Sequence, residues 1–166
     1  MENTNDFFAT HFNFCEMEYF LFEADFIDAG VKCIPMIVRF KMDAAGIKLA
    51  LATWCKFTRI ERKQLALMPC QTSIAIAAYY NFLNALVIKY SGCEGEKLKF
   101  NNNPLWANLN NVPEALQQKA KEFDWEISVK KWKQLTNIQR FALLKLFSPG
   151  HENKNFPKAM VEFGLT

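Results

Sequence analysis

The chain has 166 residues, of which 51% are hydrophobic and 22% charged, with a formal net charge of +3 and 16 phenylalanines. That length can bury a core without metals or disulfides, and the composition excludes a disordered or low-complexity chain. Lys and Arg are spread along the chain, and so mild a charge does not point to nucleic acid, whose binders carry strong basic patches.

Residues 1–16 are polar with scattered Phe and read as a loosely ordered lead-in to a single domain that spans the chain. Glu2 and Asp6, with no basic run, argue against a secretory signal. The five cysteines (Cys15, Cys33, Cys55, Cys70 and Cys93) are odd in number and hold no CxxC pair. They read as reduced, mostly buried thiols of a cytoplasmic protein. Tyr19 to Ile27 is apolar at odd and even positions alike, so strand and buried helix both stay open, and Asp28-Ala29-Gly30 reads as a stop.

From Cys33 to Ala45 the spacing predicts a helix with Pro35 in its first turn. Ile34, Ile37, Val38 and Met42 share one face, Arg39, Lys41 and Asp43 fall elsewhere, and Gly46 follows as a C-terminal cap. Thr58 with Glu61 forms a capping box for a helix from about Arg59 to Met68, which must stop before Pro69. Thr72 can cap the next helix, 73–90, which is apolar almost all round and belongs at the centre of a bundle. No charged residue lies between Lys63 and Lys89. Pro69, Gln71, Thr72, Asn81 and Asn84 interrupt that run, which argues for a buried helix rather than a membrane span.

Residues 96–112 carry six asparagines without a period and read as a long loop. Pro113 opens a short amphipathic helix to about Phe123, with Ala115, Leu116, Ala120 and Phe123 inward. Ser128 caps a short turn, Thr136 with Gln139 makes a second capping box, and a helix follows over 137–147. Ser148-Pro149-Gly150 stops it, and a last helix starts at Phe156 or Pro157 and ends at Gly164. The fold class is therefore all-α, a compact helical bundle.

The two capping boxes sit inside a longer match. Residues 54–65 align without gaps on 132–143, with Trp, Thr, Ile, Arg and Leu identical at five of twelve positions. Either the chain holds two pseudo-repeated helical units, or a common capping pattern twice packs a helical hairpin. Arg62 and Arg140 hold equivalent positions, and each is expected to pair with a carboxylate or with helix C-terminal carbonyls. The helix after the first capped helix is apolar, so it cannot read a DNA groove.

Chemistry-bearing motifs are sparse. The glycines of SGCEGEK have the wrong spacing for a phosphate loop, and GxSxG is absent. His11 and His151 are the two histidines. The dense polar run is His151-Glu152-Asn153-Lys154-Asn155, between two helices. Its His and Glu could serve as a base or ligand pair with Cys33 or Cys70. Alternatively, Asn153 and Asn155 cap the following helix and His151 answers the preceding helix's carbonyls. Cys70 lies just before a helix N-terminus, where a thiolate is favoured, yet without an adjacent base it also reads as a buried thiol.

Several strings together resemble the nitrate reductase associated protein family: FEADF (22–26), CIPMIVRFKMD (33–43), GIKLALATW (46–54) and LTNIQRFALLKL…PGHENKNF (135–156). The resemblance runs over 19–165. It implies a cytoplasmic accessory protein needed for an active assimilatory nitrate reductase, with no enzymatic activity and no cofactor of its own. Nitrate reductase is the implied partner, and no catalytic or cofactor-binding residues carry over. It singles out Cys33, Arg39, Asp43, Arg62, Arg140, His151, Glu152, Asn153 and Asn155, to which Cys70 is added from its placement. The rival reading is a small protein handling a molybdenum cofactor or a metal through Cys33, Cys70 and His151.

Overall fold

The computed structural model describes residues 20–23, 33–99, 101, 103–148 and 151–166, without the side chains of His151 and Glu152. The lead-in at 1–16 and the Asp28–Gly30 stop lie outside the described residues. Helices dominate, as an all-α chain requires. The described residues fall into two compact units, one within 33–99 and one formed by 20–23 with the stretch from 101 to 166.

In the first unit, α1 spans Met36–Ala45 and ends at Gly46, whose φ of 70° is the left-handed cap that glycine adopts without penalty. The chain then enters β1 (Ile47–Lys48), which pairs antiparallel with β2 (Glu96–Lys97), Ile47 opposite Lys97. This ladder is the one β element among the described residues, and no alternation as short as two residues announces itself in sequence. It has a tight neighbour. A Cβ on Gly95 would stand 2.7 Å from Ile47 Cδ1, while the Gly95 N–H donates to Asn84 Oδ1 at 2.9 Å.

After β1 come α2 (Leu51–Trp54), α3 (Arg59–Leu67) and α4 (Ser73–Ser91). The first capping box forms as expected. Glu61 N donates to Thr58 Oγ1 at 3.2 Å, and Thr58 N donates to Glu61 Oε2 at 2.7 Å. Thr72 Oγ1 caps α4 by accepting from Ala75 N.

α4 departs from expectation in one respect. Tyr79, Leu83, Leu86 and Val87 are buried, but Ile74 and Ile88 are 82% and 43% exposed. A helix apolar all round should be covered all round. Its main neighbours in the unit, α1 and α2, cover one face.

Glu61 also binds across to α4, where Lys89 Nζ donates to Oε1 at 2.8 Å and the Tyr90 hydroxyl donates to Oε2 at 2.9 Å. Burial opposes ionisation, yet Lys89, the Thr58 N–H and hydroxyl, and Tyr90 together hold the carboxyl down at about 2, from an ordinary 4.5. The unfolded state then binds more protons between those values, so stability falls as pH drops from 4.5 towards 2. Glu61→Gln should keep the cap, since Gln139 fills the same role in the second box, and cost about 2 °C in Tm at neutral pH. An acid titration of Tm in which the variant is as steep as the parent between pH 4.5 and 2 would overturn this assignment.

In the second unit, a 3-10 turn at Leu105–Ala107 leads to α5 (Glu114–Lys121), α6 (Val129–Gln134), α7 (Asn137–Leu146), a 3-10 stretch at His151–Asn155 and α8 (Phe156–Glu162). Leu116, Ala120, Ile127, Trp132, Phe141, Leu143, Phe156 and Met160 form its core. Ala115, expected inward, is exposed. Phe123 lies at the rim, against Trp125 and Phe156 with centroids 5.1 and 6.1 Å away. The stretch 20–23 is tied in by Glu162, whose carboxylate oxygens accept from the backbone N–H groups of Leu21 (2.8 Å) and Phe22 (3.1 Å). Phe20 and Phe22 pack edge-on against Phe163.

No helix among the described residues is long and apolar enough to cross a membrane.

Candidate functional site

The two aligned stretches build the same local structure, one in each unit. A short helix carrying a buried Trp ends, a Thr opens the next helix, and the Arg eight residues after the Trp turns back. In the first unit, Arg62 donates from Nε to the Trp54 carbonyl (3.3 Å) and from Nη2 to the Cys55 carbonyl (2.8 Å). Its guanidinium lies 5.6 Å from the Trp54 ring centroid. In the second, Arg140 Nη1 donates to the carbonyls of Trp132 and Leu135, with the guanidinium 5.8 Å from the Trp132 centroid. Of the two pairings open in sequence, helix C-terminal carbonyls are thus the partners of both arginines. The Trp54 and Trp132 carbonyls each also accept a backbone N–H, from Phe57 (3.1 Å) and Leu135 (3.3 Å), and a cation at such a terminus meets the negative end of the helix.

The copies differ in how deeply the Arg is set. Arg140 is 4% exposed, whereas Arg62 is half-buried. Arg140 also donates to the Trp106 carbonyl at 2.7 Å and to Asn137 Oδ1, and burial lowers its pKa. The Trp132 indole N–H donates to the Asn108 carbonyl at 2.8 Å. Part of the asparagine-rich stretch therefore covers the second copy. The stretch is mostly irregular, as expected, but it holds the 3-10 turn, and that turn lies on α7. In the first stretch the Trp54 indole nitrogen is buried with no hydrogen-bond partner among the described residues.

The helix α1 holds a buried cation that pattern reading placed wrongly. Lys41, expected away from the apolar face, is buried. Its amine donates to the carbonyls of Ala66 (2.6 Å) and Met68 (2.7 Å) at the end of α3. The signal was present, because Lys41 stands four residues after Ile37 and three after Val38, on the stripe itself. A long aliphatic stem lets the charge cross that stripe to reach helix-terminal carbonyls.

Around it, Cys70 Sγ sits 3.7 Å from the Lys41 carbonyl oxygen. Burial raises the Cys70 pKa, and the Lys41 charge offsets this in part. Of the two readings open for Cys70, the thiol is the favoured form. On α4, the Tyr79 hydroxyl is fully buried and has no hydrogen-bond partner among the described residues. Burial, reinforced by the neighbouring Cys70, raises its pKa.

The remaining singled-out residues are dispersed. Cys33, three residues before α1, and Arg39, on it, are half-buried, and Asp43 is exposed on that helix. In the second unit His151, Glu152, Asn153 and Asn155 share the 3-10 stretch before α8. Asn155 occupies the cap position but its backbone is helical (φ −88°, ψ −10°), so its side chain makes no capping bond. It is buried, with Oδ1 unpartnered. That corrects the capping role expected for Asn155 and leaves a buried acceptor that calls for an explanation.

Cys33 and Cys70 belong to the first unit and His151 to the second. Among the described residues no three His, Cys, Asp or Glu side chains come together as a metal site.

Comparison with curated proteins and with solved structures gives no match. A family model described as conserved nitrate reductase-associated protein matches residues 19–163. That span takes in both arginine-capped copies, α1 with Lys41 and the 151–155 stretch. The chain thus belongs to the family of conserved nitrate reductase-associated proteins.

Proposed function

We propose that the protein is a non-catalytic accessory factor, folded as one cytoplasmic domain, that binds assimilatory nitrate reductase and supports its maturation, assembly or stability. Membership of the nitrate reductase-associated family carries this reading. The use made of the buried charges supports it. Arg62, Arg140 and Lys41 are spent on carbonyls at helix ends, which is how a scaffold, rather than a proton-transfer site, employs cations.

The test is co-expression of nitrate reductase with and without this protein, reading reductase activity, soluble reductase level and co-purification. Without it, activity should fall several-fold and the two proteins should co-purify when both are present. Reductase activity and level indifferent to the protein would overturn the proposal. An unchanged reductase level with activity restored by added molybdenum cofactor would transfer the role to cofactor handling.

A further inference from the structure

Burial divides α4 into two faces that its sequence hardly distinguishes. Tyr79, Leu83, Leu86 and Val87 point into the unit. Ile74, Ala77, Ala78, Asn81, Ala85 and Ile88 point out. At 100° per residue these six fall within one stripe about 100° wide, uncharged along roughly 20 Å of helix. Ile74 is 82% exposed. Among the described residues Asn81 is exposed and has no hydrogen-bond partner, while Asn84 Oδ1, three residues on, accepts from Gly95 N at 2.9 Å.

We propose that this face pairs with the same face of a second copy of the chain, the two α4 helices running antiparallel about a two-fold axis at Asn81. The stripe reads nearly the same in both directions from that residue, with Ile74 and Ile88 seven positions away on either side and alanines between. An isologous contact demands this self-complementarity. Ile74 meets Ile88 of the other copy. Ala78 and Ala85, seven apart, let the helix axes approach to about 8 Å. The two Asn81 amides, each donor and acceptor, satisfy one another and fix the register, as a lone polar residue does in an apolar seam.

Charge complementarity selects the antiparallel arrangement. It sets the negative C-terminal end of one helix beside the positive N-terminal end of the other, where a parallel pair would juxtapose like ends. Lys89, beside the seam, already has its charge answered by Glu61 at 2.8 Å. A single helix pair of this length buries roughly 1,000 Å², the low end for specific interfaces, where weak, reversible association is found.

Sedimentation velocity of the full chain from about 1 to 200 μM should show a monomer passing to a dimer. Ala85→Glu, an exposed helix position, should leave the circular dichroism spectrum and Tm essentially unchanged and weaken the dimer about 100-fold, by placing a charge in the seam. A mixture of Ile74→Cys and Ile88→Cys chains should cross-link with each other under oxidation far faster than either does with itself. A chain monomeric at every concentration, or a dimer indifferent to Ala85→Glu, would overturn the proposal, as would self-linking of Ile74→Cys outpacing the mixed product. A monomer whose Ala85→Glu form loses co-purification with nitrate reductase would assign the face to that enzyme and equally refute the dimer.

Discussion

Replacing Arg140 by methionine should destabilise the protein by about 2–4 kcal/mol, the cost of the buried neutral acceptors it leaves without a donor. Methionine fills comparable volume, so the loss is in hydrogen bonding and not in packing. The carbonyls of Trp106, Trp132 and Leu135 all accept from this guanidinium; Trp132 keeps the Leu135 N–H, and each of the other two left unpaired costs about 1–3 kcal/mol. Arg62→Met removes the equivalent side chain from the first copy. There the Arg is half-buried with two carbonyl partners, and water can reach what the mutation vacates, so about 1 kcal/mol is expected. Arg140→Lys should rescue little, because one ammonium cannot span a fork of acceptors on three sides. Denaturant midpoints of the three variants give the comparison. Equal losses for Arg140→Met and Arg62→Met would show that the extra partners of Arg140 contribute nothing.

Trp132→Ala should cost about 4 kcal/mol, from a fully buried ring and the void left behind. Trp132→Phe separates packing from bonding. It keeps most of the ring but leaves the Asn108 carbonyl without its donor, so about 2 kcal/mol is expected. Trp54→Phe makes the control. Trp54 is equally buried, yet its indole nitrogen has no acceptor to lose among the described residues, so this change should cost less than Trp132→Phe. Because Arg140 lies over Trp132, Trp132→Ala combined with Arg140→Met should fall short of the sum of the single losses by about 1 kcal/mol or more. Strict additivity would mean that the ring and the guanidinium do not act as a unit.

The elements were legible where periodicity and caps agreed. The helices Arg59–Leu67, Ser73–Ser91 and Asn137–Leu146 begin and end within a residue or two of where Thr58, Pro69, Thr72 and Thr136 place them, and Met36–Ala45 ends at Gly46 but starts three residues after Cys33, with Pro35 as its N-cap rather than in its first turn. The equivalence of Arg62 and Arg140 was legible too, as a match between residues 54–65 and 132–143.

What stayed hidden depends on contacts across long stretches of chain. Nothing near Lys41 shows that α3 ends beside it with two free carbonyls. Nothing in an asparagine-rich run says that its backbone carbonyls at Trp106 and Asn108 will answer Arg140 and Trp132. Asn155 misled for the opposite reason. Its position suits a cap, but the preceding 3-10 stretch carries helical backbone through it, and the side chain turns inward instead. The outward face of α4 was invisible because exposure is not written into a sequence that is apolar on both sides.

The carboxylate of Glu162 has a consequence for the order in which the chain can be completed during synthesis. The elements described in the first unit lie between residues 33 and 99, so their partners within that unit have all left the ribosome once residue 99 has. The second unit waits longer. Its opening helical turn at 21–23 has its first N–H groups capped by a residue about 140 positions later. Phe20 and Phe22 likewise wait for Phe163 to pack against. A nascent chain stalled before residue 162 would present those phenylalanines without their late partner. Vectorial folding therefore ends with a stitch between the early and the late segments of the polypeptide.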